Sequence, residues 1–174
     1  YAITYVPADL AVTAKPLTVA AVAQSKEYGA ELTGGEGYTL FTSSGLANGE
    51  LIASVTSAYT NGGDLASAPA GTYTNTISLS AATGAGFDPD NYAITYVPAD
   101  LAVTAKPLTI SGSFTAADKV YDGTTVAMII SNGLTLVTAV VGDDVALAAV
   151  AVFDSKDVGA GKKVHLSATT TLAG

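Results

Sequence analysis

His165 is the one imidazole in the chain, so a histidine general base could only be this residue. It follows Val164 in an alternating stretch and falls with Ser167 and Thr169 on the polar side, which reads as a solvent-facing strand histidine. A serine nucleophile needs an oriented base beside it, and no second histidine supports such a pair. There is no cysteine and no arginine, all 7 basic side chains being Lys, which removes thiolate chemistry, disulfides, Cys-ligated zinc and the bidentate guanidinium clamp. Gly159-Ala160-Gly161-Lys162-Lys163 has the outline of a phosphate loop. However, Lys156 stands where that motif needs its first glycine and Lys163 where it needs Ser or Thr, so the stretch reads as a turn. Gly34-Gly35-Glu36-Gly37 has no following helix whose dipole could face a phosphate.

The carboxylates are the remaining candidates. Asp88, Asp90 and Asn91 cluster, Asp143 adjoins Asp144, and Asp154 and Asp157 flank Lys156. Hard oxygen ligands at close spacing suit calcium, which makes Asp88 and Asp90 the candidate metal ligands. Asp88-Pro89-Asp90-Asn91 lacks the glycine and distal glutamate of a calcium loop, and turns favour Asp on their own account, so no cofactor is expected. Two carboxylates could also serve a glycosidase, but no aromatic sugar platform accompanies them. Tyrosine is the enriched aromatic, 9 against 4 Phe. Tyr28 and Tyr121 recur in matching contexts, which marks either a core tyrosine with a bonded hydroxyl or an exposed face for sugar stacking. No catalytic residue emerges, and the chain is not expected to be an enzyme.

What must position these residues is a scaffold of small side chains. Of 174 residues, 32 are Ala, 23 Thr, 18 Gly and 13 Ser, and charged residues are only 13% against 49% hydrophobic, which is a folding composition rather than a disordered one. The net charge of −8 repels phosphate backbones, so no nucleic-acid partner is expected. The longest apolar run, 145–153, is too short to span a bilayer, and no membrane insertion is expected. The sequence opens on Tyr1 with no initiator Met, basic region or apolar leader, so an export signal is expected upstream in a longer parent.

The segment 1–19, YAITYVPADLAVTAKPLTV, returns at 92–110 with a single change, Val19 to Ile110. A period of 91 residues is the size of a small domain rather than of one solenoid coil. The expected organisation is therefore tandem: 1–15 as the closing hairpin of a preceding repeat, 16–106 as one complete module, and 107–174 as a second module lacking its closing strands. Shared landmarks support it. Lys26-Glu27-Tyr28-Gly29 answers to Lys119-Val120-Tyr121-Asp122-Gly123, Gly49-Glu50-Leu51 to Gly142-Asp143-Asp144-Val145, and Ile77–Ala81 to Val164–Ala168.

Within the modules the dominant period is two. Tyr73, Asn75, Ile77 and Leu79 alternate with Thr72, Thr74, Thr76 and Ser78, and Tyr92, Ile94 and Tyr96 alternate with Ala93, Thr95 and Val97. Pro98-Ala99-Asp100 supplies turn chemistry before Leu101 and Val103, so 92–104 is expected to form a hairpin. Further strands are expected over 17–23, 38–42, 145–153 and 164–172. One helix competes over 47–60, where Leu51 or Ile52, Val55 and Tyr59 are spaced by three and four. With that helix each module reads as β-grasp-like, without it as an Ig-like sandwich. Either way the fold class is all-β or nearly so: small β-rich modules in an elongated array.

These landmarks carry a family resemblance. Tyr28-Gly29 with the Tyr92…Leu101-Ala102-Val103-Thr104 ending resembles the MBG module of the YGX type, and Lys119-Val120-Tyr121-Asp122-Gly123-Thr124-Thr125 resembles the opening of the YDG module. Pro98-Ala99-Asp100 departs from the Asp-Gly or Asn-Gly turn expected there. The resemblance implies strings of modules in large bacterial filamentous-haemagglutinin-like surface adhesins, exported and associated with the outer membrane. There they would serve as a structural spacer or stalk projecting a distal binding domain, with no catalytic residues; Tyr28, Gly29, Tyr121, Asp122 and Gly123 would be motif residues with structural roles. The alternative is that the modules themselves bind glycan or the exopolysaccharide of a biofilm. The expected partners are adjacent modules and, because the repeat is nearly exact, a second copy exchanging strands through 1–12. Its acceptor is expected near Leu166–Leu172.

Overall fold

The structure is a computed structural model that describes residues 1–167 and 171–173. The chain divides into two compact units, 1–105 and 106–174.

Unit 1 is a two-sheet β sandwich. Its strands are β1 (Lys15–Ala21), β2 (Gln24–Glu27), β3 (Gly35–Tyr38), β4 (Phe41–Ser44), β5 (Ser54–Tyr59), β6 (Gly71–Thr83), β7 (Tyr92–Val97) and β8 (Ala99–Thr104). One sheet has the order β4-β1-β7, the other β2-β8-β6-β5-β3. Alternation decides what each sheet buries. Leu17 and Val19 point from β1 into the same core that receives Val55 from β5 and Leu79 and Ala82 from β6. Phe87 and Tyr92 close one side of it, with ring centroids 5.4 Å apart. Leu17, Val19, Ile77 and Leu101 are at most 2% exposed, and each such side chain contributes roughly 1.5–3 kcal/mol of transfer free energy.

The helix that competed with a strand over 47–60 does not form. Val55 and Ser57 are buried while their neighbours are not, a period-two pattern rich in β-branched and aromatic residues, and the segment becomes β5. Among the described residues unit 1 therefore carries two sheets and no α-helix. The expected hairpin over 92–104 does not form either. β7 pairs parallel with β1, whereas β8 lies in the other sheet, parallel to β2 and antiparallel to β6. The chain changes sheets at Pro98, a residue with no N–H to offer a ladder. The 38–42 stretch likewise splits between β3, paired with β5, and β4, paired with β1.

This change of sheet produces a long parallel ribbon. Lys15 lies opposite Tyr92 at one end and Glu27 opposite Thr104 at the other, with the same register in β1/β7 as in β2/β8. The first and last strands of the module therefore run side by side, in the same direction, across both sheets. β6 accommodates the crossing by bending: Asn75 has φ 53°, its N–H is held by Asp100 Oδ1 at 2.8 Å, and the adjacent Thr76 and Ile77 are both buried.

Unit 2 has shorter strands in smaller sheets: β9 (Thr109–Ser111), β10 (Phe114–Ala116), β11 (Val126–Ala127), β12 (Ile129–Asn132), β13 (Thr135–Val137), β14 (Ala146–Ala148), β15 (Ala151–Phe153), β16 (Val164–Leu166) and β17 (Thr171–Ala173). β9 pairs with β13, β10 with β12, β14 with β17, and β11-β15-β16 form a three-stranded sheet. The 145–153 run is thus two strands in different sheets. Among the described residues of unit 2 the buried hydrophobic ones are Ala127 and Ala151. The edge expected near Leu166–Leu172 includes 168–170, which lie outside the described residues; β16 is paired with β15 and β17 with β14.

Candidate functional site

The Tyr-Gly landmark sits where the parallel ribbon ends. Thr104 Oγ1 donates to the Lys26 carbonyl at 3.2 Å and the Tyr28 N–H donates to the Thr104 carbonyl at 2.8 Å, so the last residues of β2 and β8 are tied together. The chain then turns: Ala30 N–H donates to Glu27 O at 3.1 Å, and Gly29 takes φ +88° at the third position of that turn, a conformation costly for a residue with a Cβ. Gly29 N–H donates onward to Ala66 O at 3.0 Å.

Lys26 fixes the loops around this turn. Its side chain is buried, 6% exposed, and Nζ donates to the carbonyls of Ala30 (2.8 Å), Asp64 (3.2 Å) and Leu65. Burial pushes its pKa below the ordinary lysine value, while the charges of Asp64 and Glu31 pull it upward. With three carbonyls as partners, the buried ammonium is itself satisfied, and it ties together two loops whose Asp64 and Leu65 carbonyls also accept from Leu32 and Ala68 N–H. It is a clamp rather than a nucleophile.

Unit 2 repeats the device at its surface. Lys119 Nζ donates to Thr124 O (2.8 Å), Thr124 Oγ1 (2.9 Å) and Val126 O (3.1 Å), and pairs with Asp122 Oδ1 at 2.8 Å. Asp122 also accepts from the Thr124 N–H (2.8 Å) and hydroxyl (2.9 Å), arching over Gly123 at φ +77°. The Lys119 hydrogen bond, reinforced by those from Thr124, holds the Asp122 carboxyl down at about 2. Lys119 also stands 5.9 Å from the centre of the Phe153 ring.

The tyrosines are distributed differently from the expectation. Tyr121 is 57% exposed, so it is not a core residue; Tyr28 is half-buried. The core tyrosine with a bonded hydroxyl is Tyr92, whose Oη accepts from Ala47 N–H at 2.9 Å and donates to Glu50 Oε2 at 2.5 Å. The Glu50 bond and burial together hold its phenol above the ordinary value. Tyr96 does the same for β6, accepting from Ala82 N–H at 3.0 Å. The alternation of Tyr92 and Tyr96 placed both on one face. Their hydroxyl partners, far away in sequence, were not readable, and neither was the lysine clamp, although Lys26 and Lys119 were the shared first residues of the landmark.

The other candidates resolve as local structure. Asp88 caps the 3₁₀ turn Pro89–Asn91, its Oδ1 accepting from Asp90 N–H at 3.1 Å. Among the described residues no cluster of three or more His, Asp or Glu side chains is arranged to hold a metal ion. His165 is exposed at the centre of β16, opposite Val152; Thr169, expected beside it, lies outside the described residues. The 156–163 stretch is a loop, and its residues 156–162, with Tyr121 and Phe153, line a cleft of about 610 Å³ in unit 2. Among the described residues no helix is long and apolar enough to cross a membrane.

A family model described as MBG domain (YGX type) matches residues 17–102, and one described as YDG domain matches residues 104–174. No curated protein and no solved structure matches the chain.

Proposed function

We propose, from the premise that this chain is an MBG domain of the YGX type (17–102) followed by a YDG domain (104–174), that it is a length of load-bearing stalk in an exported bacterial surface adhesin. MBG and YDG domains are found in extracellular or surface proteins. In this reading the modules are spacers that hold a distal binding domain away from the cell, and they carry out no reaction.

The observation that supports the reading most is the parallel ribbon of unit 1. Tension along the polypeptide enters the module at Lys15 and leaves it at Thr104, which lie at opposite ends of two strands running in the same direction. Such a pull slides the strands past one another, so the ladder bonds of β1/β7 and β2/β8 are loaded together rather than opened one at a time. Each bond is worth only ~0.5–1.5 kcal/mol, and cooperative loading is what lets weak bonds resist force. Closing the ribbon with the Lys26 clamp and the Tyr92 and Tyr96 hydroxyl bonds fastens both of its ends to the rest of the sandwich. The absence of cysteine suits a chain that is secreted unfolded and refolds module by module outside the cell.

The test is replacement. Exchanging this chain, within the adhesin that carries it, for unrelated β modules of similar length should leave cell adhesion intact; loss of adhesion with surface display preserved would overturn the spacer role. A second reading is supported by the cleft beside the exposed Tyr121. There, glycan binding would use ring stacking together with the Asp118 and Asp157 carboxylates. Retention on a glycan array, lost in Tyr121→Ala, would favour it.

A further inference from the structure

The same 13 residues occupy two environments in this chain. As 92–104 they are β7 and β8, with Tyr92, Leu101 and Val103 buried. As 1–13 they form no strand, and Tyr1, Ile3, Tyr5, Val6, Leu10 and Val12 are all exposed. Identical sequence implies identical intrinsic preference, so the difference lies in the frame available to each copy. That frame is made by β1 and β2 on one side, in parallel register, and β6 on the other. It also includes groups placed for this segment and nothing else: Ala47 N–H, Glu50 and Ala82 N–H for the two tyrosine hydroxyls, and Asn75 N–H for Asp100. Tyr1, Tyr5 and Asp9 are the corresponding residues of the free copy.

We propose that 1–13 is a second closing strand pair, competent to complete the unit 1 frame of another copy of this chain in the register that 92–104 uses. The chain's own frame is closed to it by geometry. In that register Thr13 would stand opposite Glu27 while Tyr1 stood opposite Lys15. Lys15 and Glu27 are ends of a ribbon roughly 35–40 Å long at ~3.3 Å per residue. Ala14 alone separates Thr13 from Lys15, a link that reaches about 7 Å. A second copy has no such tether. Each chain thus brings one frame and two matching closers. Within residues 1–174, 92–104 occupies the frame because its attachment gives it a high effective concentration there. Exchange of this kind is strand addition to a sheet, driven by main-chain bonds and fixed in register by the alternate side chains.

Disabling the resident closer exposes the exchange. Leu101→Asp puts a carboxylate at a position that is 0% exposed and ejects 92–104 from the frame, leaving 1–13 intact. This variant should shift from monomer to twice the monomer mass or more in light scattering, and should recover the amide-exchange protection of β1 and β6. Leu10→Asp/Leu101→Asp, in which neither closer fits, should remain a monomer without that protection. If the two variants behave alike, whether as monomers with an unprotected unit 1 or as folded monomers, the proposal is wrong. Register gives a second readout, because Thr95 lies opposite Thr18 and the chain contains no cysteine. Mixing Leu101→Asp/Thr4→Cys with Leu101→Asp/Thr18→Cys should yield a disulfide-linked heterodimer under mild oxidation. Absence of that heterodimer in an otherwise dimeric sample would overturn the register.

Discussion

The two units use the same landmark and the same small-residue composition, yet they stabilise it by different means. In unit 1 the lysine of the landmark is buried and its three acceptors are carbonyls, beneath a core drawn from both sheets. In unit 2 the corresponding lysine lies near the surface, paired with a carboxylate, and the buried hydrophobic residues described there are two alanines. The first module rests on excluded water and backbone satisfaction, the second on local turns and charge-assisted hydrogen bonds. The difference teaches that a recurring motif fixes a chain path rather than an energy source.

That contrast can be broken most severely at the core. Leu17→Ala should cost unit 1 about 2–5 kcal/mol, whereas Leu136→Ala, at a half-buried position of β13, should cost unit 2 about 1 kcal/mol. Amide exchange resolved by unit checks both, and equal losses would erase the distinction. Next in size is the clamp. Lys26→Met removes three charge-assisted hydrogen bonds that tie two loops to the end of the ribbon and should destabilise unit 1 by roughly 1–3 kcal/mol in urea unfolding, with Lys119→Met producing a visibly smaller shift in the unit 2 midpoint. A smaller effect is expected at the turn glycines. Gly29→Ala and Gly123→Ala each force a Cβ into the left-handed region, at about 1–2 kcal/mol in either unit. Here the units should agree.

The smallest difference is one of pH. The Asp122 carboxyl titrates at about 2 in the folded unit, below its unfolded value of ~3.9. A depressed folded value means that its contribution is complete above about pH 4 and is lost as the pH falls toward 2. Unit 2 should therefore lose amide protection in that window, and Asp122→Asn should flatten the dependence. A slope unchanged by the substitution would assign the effect elsewhere.

Much of this architecture could be read before any coordinates. The alternations at Tyr92–Tyr96 and Leu101–Val103 fell on strands with the expected inner faces, because period two is a property of neighbours in sequence; Tyr73–Leu79 also fell on a strand, but its alternation breaks at the bend, where Asn75 is exposed and Thr76 buried. What could not be read was which sheet each strand joined. Tyr38 and Phe41, Val97 and Ala99, and Ala148 and Ala151 are close in sequence and part of different ladders. Only the non-local partner decides that, and a proline or a short polar break looks the same in a hairpin as in a sheet crossing. The same holds for the candidate site. Gly29 and Gly123 were legible as shared landmark residues, but the carbonyls that hold Lys26 come from residues 30, 64 and 65, brought together by the fold alone.

The central claim is that unit 1 transmits tension through strands loaded in shear, and the most direct measurement is single-molecule pulling in two directions. With handles at residues 15 and 104, opposite ends of the ribbon, the unfolding force should be several-fold higher than with handles at residues 15 and 92, which lie side by side and peel the same strands apart one bond at a time. Equal forces in the two geometries would contradict the account.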